Sequence, residues 1–122
     1  MNKQDLTHLE AHDQQAIYAL VERMYAHYGQ DIQRMALFGS KARGDSTPDS
    51  DIDVLVVTSE DGWSSKNRVF TIGARASLDY DVLFNLHPVG QEHWDWMGKI
   101  RHPLYRAILR DGLTLTPPAV MA

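Results

Sequence analysis

The chain has 122 residues, no cysteine, 43% hydrophobic and 23% charged residues, and a formal net charge of −4. Those figures leave room for one ordinary domain with a single core, and exclude a disordered chain, a disulfide framework and a thiolate metal site. The acidic balance argues against a main task of binding nucleic-acid backbone. The lack of cysteine, of an apolar leader and of any apolar run of about 18 residues leads us to expect a soluble, cytoplasmic protein.

Between Asp13 and Tyr28, Ile17, Leu20, Val21, Met24, Tyr25 and Tyr28 recur at three- and four-residue steps, which predicts a helix over about 13–29 stopped by Gly29. His8 and His12 are four apart, a spacing able to hold a metal, but with no third ligand nearby a solvated helix face is expected. Met35-Ala36-Leu37-Phe38 predicts a first strand, Gly39-Ser40 a turn, and Ser40 to Arg43 a short helix with serine as its cap. Residues 45–50 form a polar loop, and Ile52, Val54, Leu55, Val56 and Val57 predict a second strand.

After a polar connector at 59–65, Val69, Ile72 and Ala76 suit a helix packed on a sheet, although Gly73 weakens it. Leu78 to Phe84 alternates apolar and polar residues and predicts a third strand. Trp94 with Met97 and Trp96 with Ile100 predict a helix over 90–100, the two tryptophans packing rather than stacking on a base. Pro103 opens a further helix, with Leu104, Ile108 and Leu109 inward and Gly112 as its stop, and Leu113-Thr114-Leu115 a short final strand. His87, His93 and His102 have no spacing that singles them out.

The chemistry concentrates at residues 39–53. On a strand, Asp51 and Asp53 share a face. Two like charges held side by side repel, and a divalent cation between them removes that penalty; hard oxygen ligands suit magnesium. A glycine lets the backbone approach a phosphate closely, and the start of a helix at Ser40 offers amides to an anion. The plainer reading is that Gly39 only turns the chain and Ser40 only caps. Asp79 and Asp81 share a face of the expected third strand and supply a third carboxylate; Asp81, followed by apolar residues as Asp53 is, is the first choice and Asp79 the second.

These are parts for nucleotidyl transfer. Asp51 and Asp53 would hold two metal ions, while Asp81 would share one and orient or deprotonate the incoming hydroxyl. Gly39 and Ser40 would cradle the outer phosphates as pyrophosphate leaves. Arg43 would pair with phosphate, or tie the loop down through Asp45 or Asp49.

Gly39-Ser40-Lys41-Ala42-Arg43-Gly44 followed by Ser50-Asp51-Ile52-Asp53 resembles the signature of the DNA polymerase β-like nucleotidyltransferase superfamily. The Ala-Arg-Gly turn, the small size and the ending from Pro103-Leu104-Tyr105 to Arg110-Asp111-Gly112 resemble its minimal nucleotidyltransferase (MNT) branch, over about residues 33–113. The resemblance implies an α/β (α+β) fold with a short mixed sheet as a single domain, ATP and magnesium as cosubstrates, and transfer of AMP to an acceptor. Many MNT proteins are antitoxins paired with a HEPN-domain ribonuclease toxin, silenced by binding and by adenylylation of a tyrosine. Two other readings stay open: a small-molecule nucleotidyltransferase related to aminoglycoside-modifying enzymes, and an antitoxin that neutralises its toxin by binding alone.

Overall fold

The computed structural model describes residues 6–117. The first helix, α1, runs Ala11–Tyr28 and buries Ala16, Ile17, Leu20, Val21 and Met24, the expected face. Gly29 caps it at φ 55°, its N–H bonded to the Tyr25 carbonyl, and a 3-10 turn over Gly29–Asp31 leads into the sheet.

Strand β1 (Ile32–Phe38) hands over directly to α2 (Gly39–Arg43), which Gly44 ends in the left-handed conformation at φ 87°. Strand β2 (Ile52–Thr58) is followed by α3 (Trp63–Tyr80) and then β3 (Phe84–Gly90). Helices α4 (Gln91–Lys99) and α5 (Pro103–Asp111) precede β4 (Leu113–Thr114). The strand order is β3-β2-β1-β4, with β2 parallel to β3 and the other two pairings antiparallel, so the sheet is mixed.

The sheet is covered on both faces, which is why β2 reads as an almost unbroken apolar run. Met35, Leu37, Ile52, Val54 and Val56 pack with residues of α1 and α3 on one face. Ala36, Phe38, Leu55 and Val57 pack with Trp94 and Met97 of α4 and Ile108 of α5 on the other. Each fully buried aliphatic side chain of this kind contributes roughly 1.5–3 kcal/mol over leaving it in water. Leu109, expected inward, is 46% exposed, because α5 turns Ile108 rather than its neighbour to the sheet.

Two expectations change around α3. Gly73 does not interrupt the helix; it lies against the Leu86 side chain, with a Cβ there placed 2.5 Å from Leu86 Cδ2, so the missing side chain lets α3 approach β3. The predicted third strand over Leu78–Phe84 is not formed. Residues 78–80 are the last turn of α3, and Asp81 is its cap at φ 52°, its N–H bonded to the Ser77 carbonyl. The helical steps Val69, Gly73, Ala76 bury one face and override the local alternation, and aspartate tolerates the left-handed stop better than most residues. The true strand starts at Phe84, whose N–H is bonded by Ser77 Oγ at 3.1 Å. As the edge strand, β3 also accommodates Pro88. No helix among the described residues is long and apolar enough to cross a membrane.

Candidate active site

The site forms where β1 ends and β2 and β3 begin. Phe38, Asp53 and Asn85 occupy facing positions on the three strands, Asp53 pairing with Phe38 on one side and Asn85 on the other. Asp53 lies between Ile52 and Val54, which face α1 and α3, and so projects to the α4–α5 side with Leu55. Asp51, exposed, stands immediately ahead of β2 and two residues before Asp53.

Gly39 is required here for two reasons. Its φ of 73° belongs to the left-handed region, and a Cβ on it would run into the Asp53 carboxylate oxygen Oδ2. The glycine therefore brings the start of α2 up against the carboxylate. Among the described residues the Ser40 hydroxyl has no partner, while its carbonyl accepts the N–H groups of Gly44 at 2.9 Å and Asp45 at 3.2 Å. Asp53 keeps 22% of its side chain exposed; its Oδ1 accepts a 2.8 Å hydrogen bond from Asn85 Nδ2. His87, two residues along the same face of β3, brings Nε2 to 3.8 Å from that oxygen and stacks edge-on with Phe38. That nitrogen is buried without a hydrogen bond.

The signature is held from both ends of the chain. Lys41 of α2 is buried and bonds Asp13 of α1 at 2.8 Å, with a longer 3.4 Å contact to the Thr47 carbonyl. His8, outside α1, bonds the Lys41 carbonyl at 2.7 Å rather than forming a pair with His12. Arg43 bonds Asp45 at 3.0 Å and reaches Asp111 at the end of α5 at 3.7 Å, so the loop-tying expectation is met through Asp45. Arg110, followed by Arg43, holds the Asp111 carboxyl below the ordinary carboxylate range.

Asp81 stands apart from this row. It lines a cavity of about 380 Å³ with Glu10, His12, Asp13 and Asp49, and with Ser50 and Ile52 on either side of Asp51. Asp79, the second choice, pairs with Arg23 of α1 at 2.7 Å. Among the described residues no three His, Asp or Glu side chains gather as a metal cluster. The neighbouring strand instead meets Asp53 with Asn85. Sequence reasoning missed Asn85, His87 and Lys41. The first two become visible only once β3 is known to begin at Phe84, and the Lys41 partner lies 28 residues away. Trp94 is buried against Tyr105, as a packing residue should be, while Trp96 is 49% exposed.

Asp53 offers hard carboxylate oxygens against the glycine turn that opens α2, with Asp51 two residues ahead of it and Ser40 directly after Gly39. That donor set fits a divalent ion of the magnesium type together with a phosphate chain. The family model described as nucleotidyltransferase domain matches residues 17–103. A Methanocaldococcus jannaschii protein named "putative protein adenylyltransferase" is 32% identical over 103 residues, covering 84% of this chain and 97% of its own length. A second protein of that organism with the same descriptive name is 42% identical over 55 residues, 44% of this chain and 56% of its own. Among solved structures, "Structure of putative minimal nucleotidyltransferase" aligns with a TM-score of 0.58 at 23% identity over 89% of this chain and 99% of that one. "Crystal structure of the toxin-antitoxin with AMP-PNP" aligns with a TM-score of 0.53 at 16% identity, over 80% and 70%. With the signature, the mixed sheet and these matches in agreement, the chain belongs to the nucleotidyltransferase domain family, with the fold of its minimal nucleotidyltransferases.

Proposed function

We propose that this nucleotidyltransferase transfers AMP from ATP to a hydroxyl of a partner protein, a tyrosine of a HEPN-type ribonuclease toxin, and so acts as its antitoxin. The observation that carries this reading is the corner of Gly39, Ser40, Asp51 and Asp53, in which Gly39 lies directly against the Asp53 carboxylate. The relative at 32% identity, named for protein adenylylation, supports a protein acceptor. The structural neighbour that is a toxin–antitoxin complex with AMP-PNP supports the choice of partner and of adenine nucleotide.

In the reaction, the acceptor oxygen attacks the α-phosphorus, the bond from that phosphorus to the bridging oxygen breaks, and pyrophosphate departs with the acceptor proton released. Asp51 and Asp53 would hold magnesium, which supplies charge neutralisation on the phosphates. The Gly39 turn and the Ser40 hydroxyl would seat the outer phosphates against the start of α2. Arg43, engaged by Asp45 and Asp111, would hold the loop that carries Asp51 in register with α5.

The test mixes the protein with labelled ATP, magnesium and the product of the adjacent gene. The expected result is AMP on that partner, with neutralisation lost in an Asp51→Ala, Asp53→Ala variant. No label on any protein, with neutralisation intact in that variant, would establish neutralisation by binding alone. Label on an aminoglycoside would establish the small-molecule reading.

A further inference from the structure

We propose that the groove between α3 and the outer edge of β3 is where the protein acceptor docks, the apolar face of a partner helix lying along it and bringing the acceptor hydroxyl to the Asp53 corner. The inference rests on the reading of the acceptor as a protein. The groove has a volume of about 680 Å³, and its lining runs from Phe70, Ala74 and Leu78 of α3 through Leu83 to Asn85. Phe70, Leu78 and Leu83 are 51%, 80% and 61% exposed, so three large apolar side chains face water along one groove. A grouped exposure of this kind is the mark of a contact surface.

Continuity with the site selects the occupant. Asn85, at one end of the groove, donates to Asp53 Oδ1 at 2.8 Å. Asp81 lines the groove too, and also lines the cavity that holds Ser50 and Ile52 on either side of Asp51. A segment seated in the groove therefore ends beside both carboxylates, where an acceptor oxygen has to be held. The strand edge then decides the form of that segment. Ile52, opposite Phe84, donates its N–H to the Leu83 carbonyl, and in a parallel ladder this turns the N–H groups of Phe84, Leu86 and Gly90 away from β2. Ser77 Oγ accepts from Phe84 at 3.1 Å, Asp61 Oδ1 accepts from Gly90 at 2.9 Å, and Pro88 between them has no N–H. Of these outward positions Leu86 alone is left to donate, so an added strand finds little to pair with. Phe70, Ala74 and Leu78, at four-residue steps, instead form a ridge along α3 that suits the apolar face of another helix.

The test varies the product of the adjacent gene with labelled ATP and magnesium held at saturation. Leu78→Asp and Leu83→Asp, with folding verified by circular dichroism, should each lower kcat/KM for that partner at least about tenfold, because each puts a charge into a contact that excludes water. Leu109→Asp, also at an exposed leucine but on α5 across the sheet, should stay within about twofold of the parent. Affinity for a non-hydrolysable ATP analogue, measured by calorimetry, should be unchanged in all three, which locates the loss at the acceptor. Parent kcat/KM in either groove variant would overturn the proposal, as would loss of analogue binding along with transfer, or an equal loss in Leu109→Asp. A parent chain that sediments as a dimer and a Leu78→Asp variant that sediments as a monomer would give the groove to a second copy and overturn it as well. A parent chain that labels no protein would instead overturn the protein-acceptor reading beneath it.

Discussion

Asn85 faces Asp53 across the β2–β3 pairing and donates to it at 2.8 Å, so the neighbouring strand meets the Asp53 carboxylate with an amide. On the proposed reading, Asp53 and Asp51 are the acids of this corner. Replacing Asp53 by alanine should lower adenylyl transfer by at least about 100-fold, and Asp51→Ala should do the same. Asp51 is exposed at the mouth of the strand, so its thermal melt should stay within a few degrees of the parent. Initial rates and melting curves on the same preparations check both halves.

Asp81 gives the opposite expectation. As the left-handed cap of α3 it has a structural task, and Asp81→Asn, which keeps that backbone preference, should change transfer by no more than about twofold. A loss approaching that of Asp53→Ala would return Asp81 to the site.

Gly39→Ala should damage both fold and activity. The new Cβ would meet Asp53 Oδ2, and alanine resists a φ of 73°. A cost of about 1–3 kcal/mol in denaturant unfolding is expected, together with weaker nucleotide binding, because the carboxylate must shift.

Lys41 is the buried charge on which the placement of α2 depends. Its ammonium and the Asp13 carboxylate keep only 5% and 13% of their side-chain surface exposed. Removing one partner leaves the other buried without its counter-charge, at a cost of about 3–5 kcal/mol. Lys41→Ala should therefore unfold at markedly lower denaturant, and the Lys41→Met, Asp13→Leu pair should recover much of the loss.

Acid should loosen the tie between α5 and the signature loop. Arg110 and Arg43 depress the Asp111 pKa, so the folded state holds this carboxylate ionised more firmly than the unfolded chain does. That contribution is present above the ordinary carboxylate pKa of about 4 and is lost as pH falls through the lower folded value. Asp111→Asn should be less stable than the parent at neutral pH, with the gap closing in acid. Unfolding midpoints measured from pH 7 down to about 3 test the sign.

Much of this was legible in the residues. The 3.6-residue apolar period of α1, the β-branched run of β2, and the Pro103 and Gly112 boundaries of α5 are local signals that tertiary structure did not override. Gly39, Ser40, Asp51 and Asp53 were legible for the same reason, since a turn and a strand place them within fifteen positions. The placement of Asp81 as the cap of α3 was not, because Leu78 to Phe84 alternates like a strand while the buried face of α3, Val69, Gly73 and Ala76, carries the helix on to Tyr80. Because the strand begins at Phe84, six residues later than the expected start at Leu78, the residue beside Asp53 is Asn85. The pairing of Lys41 with Asp13 follows from how α1 crosses the signature, which no local pattern encodes.

The most direct measurement compares ATP labelled at the α-phosphate with ATP labelled at the γ-phosphate, in the presence of magnesium and the partner protein. Transfer by Asp51 and Asp53 as described puts α-label on the partner, releases pyrophosphate in equal amount, and leaves no γ-label attached. Label from the γ-position, or α-label that persists at the parent rate in Asp53→Ala, would contradict it.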